Sequence, residues 1–251
     1  VNATGKLISF TLDGNFLKEQ KVKGHNSRYL PLGDKFIGRQ AKAVKNGSNF
    51  EQVVSLYDRE FNPIKTLYRA AMPGMMRLSS NQTQKPKYRI INDLINYYVM
   101  ANRFIIADSS KGFFLKILDK NGNLIKEARP KYEKKRVTDA IKKEALDKLS
   151  HEAWYKQLKN RFEFVFPEFF PAFQGIRVSG QHLLVQTYES NNDNLSYVVL
   201  DKTGKQIKAL QLPKPTPDSD LYCIDNETYY YLTENEDAES WELHAIKLDL
   251  N

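Results

Sequence analysis

The chain has 251 residues, 41% of them hydrophobic and 27% charged, and 38 Lys and Arg against 30 Asp and Glu leave a net charge of +8. With 14 Tyr and 14 Phe it is too aromatic to be disordered, it has no apolar run of the ~20 residues a membrane helix needs, and its single Cys223 excludes an internal disulfide. The length suits one large domain or two small ones, and the basic balance invites a nucleic-acid or acidic-membrane partner.

A hairpin pattern recurs along the chain. Ile8 to Lys18 runs an apolar strand into Asp13-Gly14 and out again. Val54 to Lys65 repeats it around Asp58, without the glycine. Leu115 to Lys126 is the clearest copy, built on Asp119 and Gly122, and Val198 to Lys208 follows it almost position for position with Asp201 and Gly204. Ala245 to Asp249 begins a fifth. The chemistry is that of a β-turn: the Asp carboxylate accepts turn N–H groups, and a later Gly supplies positive φ. A lysine near the end of the second strand is expected to be exposed.

Between the hairpins, Lys35 to Gly38, Arg103 to Ala107, His182 to Tyr188 and Thr228 to Thr233 read as inner strands. The aspartates lie 45, 61, 82 and 48 residues apart. About 45 residues make a four-stranded propeller blade, so the two long intervals predict insertions. The first is a loop at about 70–90. The second, about 131–167, changes period: Ile141, Ala145, Leu149 and Ala153 lie four apart and Leu146, Trp154, Leu158 and Phe162 widen the stripe, an amphipathic helix pattern. Thr138 or Asp139 is expected to cap its start and Ser150 a second helix. The whole predicts an all-β chain, 1–251 as a single β-propeller domain with a helical insertion; a β-sandwich is the alternative.

The Leu-Asp-Lys-x-Gly-x-x-Ile-Lys hairpins resemble the bacterial six-bladed β-propellers related to NHL-repeat and TolB-like proteins. Arg129-Pro130-Lys131-Tyr132, then Arg136-Val137-Thr138-Asp139, a helix, and Phe166 to Phe173 are similar to an insertion before a late blade in those families. The resemblance implies six blades, with part of the first absent ahead of Val1, and an extracytoplasmic location, periplasmic or as a membrane-anchored lipoprotein. It carries over no catalytic residues.

Catalytic and metal motifs are scarce. His151-Glu152 lacks the second histidine of a zinc-protease helix, Asp119 to Asn123 lacks the spacing of a calcium loop, and no nucleophile elbow or phosphate-binding glycine loop occurs. Cys223, in an apolar strand-like context, reads as a buried thiol. Phe164, Phe166, Phe169, Phe170 and Phe173 read as an aromatic cluster cementing the insertion to the propeller.

The reading is a non-catalytic module that binds a protein, peptide or glycan through one face and its insertions, with Lys134, Lys135, Arg136, Trp154, Phe169 and Phe170 as candidate contacts. No cofactor is implied. The alternative is a metal-dependent lactonase-like hydrolase, which alone would call for Ca²⁺ at the central channel; NHL-like RNA binding ranks last, so nucleic acid is not the expected partner. Charge is polarised: residues 220–251 carry nine acids and one base, −8, leaving +16 on the rest and +5 within 131–161. A polarised ring suits oriented docking.

Overall fold

The computed structural model describes residues 2–3, 6–21, 26–44, 50–72, 85–189, 193–215, 221–235 and 239–250. Strands β1 (Asn2–Ala3), β2 (Lys6–Phe10) and β3 (Phe16–Lys21) form a first antiparallel sheet. A second contains β4 (Asn26–Leu32), β5 (Lys35–Ala43), β6 (Phe50–Tyr57) and β7 (Pro63–Met72). After β8 (Lys87–Arg89), a third sheet is made of β9 (Ile95–Met100), β10 (Arg103–Asp108), β11 (Phe114–Leu118) and β12 (Leu124–Ala128). Helices α1 (Asp139–Ser150) and α2 (Ala153–Leu158) and strand β13 (Glu163–Val165) follow. A fourth sheet holds β14 (Gly175–Ser179), β15 (His182–Gln186), β16 (Asn194–Leu200) and β17 (Gln206–Pro213), and a fifth β18 (Tyr222–Asp225), β19 (Thr228–Asn235) and β20 (Ser240–Lys247).

Within each of these five sheets the strands stand in sequence order, and the first strands β4, β9, β14 and β18 neighbour one another in turn. This is a propeller: antiparallel blades in series around their first strands, the all-β architecture expected. The strands expected as inner ones, β5, β10, β15 and β19, are the second of their blades, each paired with a first strand nearer the centre.

The core lies between blades. Along β10, Phe104 and Ile106 face the second blade, joining Ile37, Val54 and Leu56, while Ile105 and Ala107 face the fourth, joining Leu183, Val185 and Leu200. Period-two alternation thus serves two cores from one strand. A third core joins Leu184, Tyr197 and Val199 to Ile224, Tyr229 and Leu248 of the last blade. Among the described residues, Phe16 and Leu17 of the first sheet and Leu221, Tyr230 and Leu243 at the fifth are exposed. Cys223, also of the fifth, is exposed, not buried, because β18 turns Ile224 into the core and Cys223 away from it.

The hairpin turns behave as their chemistry requires. Asp119 accepts the backbone N–H of Asn121 and of Asn123, both at 2.8 Å, and Asp58 and Asp201 do the same at their turns. In the first copy the acceptor is Thr11, which takes Asn15 N–H at 3.0 Å. Its carbonyl also accepts Gly14 N–H, as those of Asp58, Asp119 and Asp201 accept the N–H three residues on. Asp13-Gly14 is therefore not a two-residue turn; the repeat begins two residues earlier, at Thr11. At Asp58, Phe61 takes the left-handed position that Gly122 and Gly204 occupy elsewhere.

Two of the lysines that follow the turns are engaged across blades. Lys65 Nζ donates to Gly122 O at 2.9 Å in the next blade's turn, and Lys208 Nζ to Asp249 at 2.9 Å. Lys65 ties the outer strand of the second blade to the turn of the third, and Lys208 ties the outer strand of the fourth to the segment after β20.

The helices stand apart from the cores, and neither buries a residue. Thr138 caps α1 through Ile141 N–H at 3.4 Å. Ser150 caps nothing: its hydroxyl donates back to Asp147 O, and α2 starts after Glu152 without a side-chain cap. No helix of the described residues is long and apolar enough to cross a membrane.

Candidate functional site

Register places the long connections and the repeated turns on opposite faces. In the third blade Asp108 pairs with Ile95 and Phe114, and Leu115 with Ala128, so the entry to β9, the β10–β11 loop and the exit of β12 share one edge; the Asp119 turn is at the other. The connections preceding β9 and β14 both leave from the first edge. They meet there, β8 pairing in parallel with β13 through Lys87–Glu163, Tyr88–Phe164 and Arg89–Val165. Tyr88, Trp154, Tyr155, Phe162 and Phe164 pack around this pairing, with Tyr155 and Phe164 centroids 4.7 Å apart. The two connections form one cap; of the 70–90 loop, residues 73–84 lie outside the described residues.

At the base of the cap a cleft of about 520 Å³ runs between the Ser109–Gly112 loop and the strap formed by residues 129–134 and 169–172. Asp108, fully buried, fixes the loop by accepting Ser110 N–H at 2.9 Å, Ser110 hydroxyl at 2.6 Å and Tyr68 hydroxyl at 2.5 Å. Burial, with the Asp108 carboxylate adding, holds the Tyr68 phenol well above its ordinary range. Gly112 ends the turn at φ +80, and a Cβ there would stand 3.3 Å from the Tyr132 hydroxyl, so glycine both permits the turn and lets Tyr132 close the strap over it.

Three cations line the cleft: Lys111, Arg129 and Lys134. None has an ion pair with a carboxylate among the described residues, where lysine and arginine pairs engage Lys6, Arg69, Arg89, Arg136, Lys142, Lys148, Lys208 and Lys247. Rings hold them instead. Lys111 Nζ lies 4.7 Å from the Tyr68 centroid, Arg129 4.6 Å from Phe114, and Lys134 5.8 Å from Phe169. Arg129 also donates to Lys111 O at 3.3 Å. A cation resting on a ring keeps its charge and most of its donors for a ligand. Asp93 is the cleft's one carboxylate, and it is paired with Arg89 at 2.9 Å.

Of the residues singled out in the sequence, Lys134, Phe169 and Phe170 meet on this cleft, Phe170 stacked on Tyr188 at 4.3 Å. Burial, with Asp93 adding, pushes the Tyr188 phenol up to about 12. Lys135 donates to Tyr188 O at 2.5 Å, and Arg136 pairs at 3.6 Å with Glu168; both are strap ties. Trp154 sits in the cap's aromatic cluster, away from the cleft. The expected phenylalanine cluster is split three ways: Phe164 joins the cap, Phe169 and Phe170 the cleft, and Phe173 the core beside Phe113. Lys111 and Arg129 were missed. Their only sequence signal is placement, at a β10–β11 loop and just after β12.

The second opening on this face is the channel mouth, a cavity of about 290 Å³ lined by Asn96, Tyr98, Gln174, Arg177, Gln186 and Tyr222 among others. A guanidinium, amides and phenols do not fit a divalent cation, which wants carboxylates. Among the described residues no three His, Cys, Asp or Glu side chains stand close enough to share a metal.

No family model matches the chain, and no curated protein matches it. Solved structures with a similar course include Hsv2 of Kluyveromyces lactis (11% identity, TM-score 0.36, covering 94% of this chain and 76% of that one). BamB of Moraxella catarrhalis matches at 14% identity and TM-score 0.33, over 90% of this chain and 54% of that one. A prolyl endopeptidase matches at 12% and 0.39, over 96% of this chain and 35% of that one.

Proposed function

We propose that this chain is a non-catalytic binding propeller whose capped face docks an acidic, aromatic-bearing segment of a protein or peptide partner. One observation carries the reading: Lys111, Arg129 and Lys134 line a single cleft beside Phe169 and Phe170 with no carboxylate partner of their own among the described residues. Aromatic and basic groups together favour a ligand that pairs acids with hydrophobic side chains. The acidic segment 220–251 contributes no residue to the cleft, so an acidic partner is steered to the cap rather than to the whole surface. The bacterial, extracytoplasmic setting belongs to the same reading and rests on the family resemblance alone.

The test is a fluorescence-anisotropy titration with a short labelled peptide of acidic and aromatic residues. A second peptide, in which lysine replaces every acid, is the comparison. The acidic peptide is expected to bind about tenfold or more tighter, with affinity falling as salt rises. Equal binding of the two peptides contradicts the reading.

A further inference from the structure

The cleft and the channel mouth share a wall. Asp93 lines the first and Leu94 the second; Ala172 lines the first and Gln174 the second. Consecutive Cα atoms are about 3.8 Å apart, so the two openings adjoin at Asp93 and Leu94, and Arg177 lines the second.

Charge at the channel mouth is one-sided. Among the described first strands, β4 carries Arg28 and β14 carries Arg177; the one carboxylate is Asp225, at the end of β18 next to its turn into β19 and so at the opposite edge. Arginine ion pairs among the described residues engage Arg69, Arg89 and Arg136, leaving Arg28 and Arg177 without one. Arg177 lies 5.3 Å over the Tyr222 ring. Arg177 lines the pocket with Tyr98; burial holds the Tyr98 phenol above its usual range, and a hydrogen bond with Asn96 and the positive charges of Arg28, on the neighbouring β4, and of Arg177 act against that.

The neutral groups are held in place. Tyr222 hydroxyl donates to Gln186 Oε1 at 3.0 Å, Gln186 Nε2 to Gln174 Oε1 at 3.5 Å, and Gln174 Nε2 to Thr187 O at 2.7 Å. Each amide has two donors and two lone pairs and uses only part of them here. Oriented amides of this kind match the N–H and C=O groups of a peptide backbone. A planar guanidinium matches a carboxylate in bidentate fashion.

We infer that the channel mouth captures the C-terminal carboxylate of the partner chain, with Arg177 as its direct ligand, Arg28 adding to the field, and Gln174 and Gln186 reading the last peptide groups. This rests on the proposed docking of an acidic segment in the neighbouring cleft and names which part of the partner enters.

The experiment uses the full chain and the same acidic, aromatic peptide, made once with a free C-terminus and once amidated, the two compared by anisotropy. The free acid is expected to bind about tenfold tighter than the amide. Arg177→Gln is expected to remove that difference, Arg177→Lys to keep part of it, and Arg28→Gln to reduce it by a smaller factor, each with an unchanged melting temperature. Free acid and amide binding equally, with affinity still dependent on Arg129 and Lys134, overturns the carboxylate pocket and leaves the cleft standing. Binding of neither peptide overturns both.

Discussion

Ala128 Cβ stands 2.6 Å from the place a Cβ on Gly204 would take. The turn of the fourth blade is thereby seated against the outer strand of the third, and Gly122 is seated on Leu67 in the same way. These glycines answer two demands, a positive φ and the approach of a neighbouring blade. Gly14 has the positive φ alone, with open space around it. Alanine should therefore be worst at Gly204, where the neighbour is a Cβ that moves only with its backbone. It should be milder at Gly122, where the Leu67 side chain can turn, and mildest at Gly14. Losses of about 2–4, 1–3 and 1 kcal/mol are expected from urea unfolding.

The Lys208–Asp249 bond joins the fourth and fifth blades, and Lys65 joins the second and third. Lys208→Met should cost about 0.2–1 kcal/mol, because Asp249 is mostly exposed. Lys65→Met should cost about 1 kcal/mol, since its partner is a turn carbonyl. A double-mutant cycle of Lys208→Met with Asp249→Asn, read by thermal melting, should show coupling; additivity would argue against the tie.

Acid should loosen the turns. Asp58 is held below its ordinary 3.8 by the Asn62 N–H above all, and Asp119 by the Asn123 N–H. At Asp201 burial works the other way and is outweighed by bonds from Thr203 and Lys205. A carboxylate with a lowered folded value stabilises fully above its unfolded value, and the contribution is lost as pH falls through the folded one. Melting temperature should thus drop between about pH 4 and pH 2, and Asp119→Asn should show a shallower drop. A parallel decline in both proteins would contradict this.

Asp108 is the buried keystone of the cleft loop. Tyr68→Phe should cost about 1–2 kcal/mol and Asp108→Ala about 2–3, because the latter strips partners from Tyr68 and Ser110 together. Chemical denaturation of the two variants decides the order.

The blades were legible because a hairpin is local: strand, Asp, turn and strand lie within about a dozen residues. Thr11 hid the first turn because a hydroxyl can do the carboxylate's work and Asp13-Gly14 nearby made a plausible decoy. The lysine ties were not legible, since Lys65 and Gly122 are joined only by the packing of blades. The same holds for the cleft. Lys134, Phe169 and Phe170 lie close together on the strap and announced themselves, while Lys111 comes from the β10–β11 loop and Arg129 from the exit of β12, and Arg177 joins Tyr98 only when β9 and β14 come together. Cys223 misled because an apolar strand context does not reveal which side of the strand faces the core, and in β18 that side is Ile224's.

The most direct measurement is the anisotropy titration of the acidic, aromatic peptide against a variant carrying Lys111→Gln, Arg129→Gln and Lys134→Gln together, checked to melt as the parent does. Affinity is expected to be about tenfold or more weaker, with a shallower dependence on salt. Affinity and salt dependence equal to the parent's would contradict this.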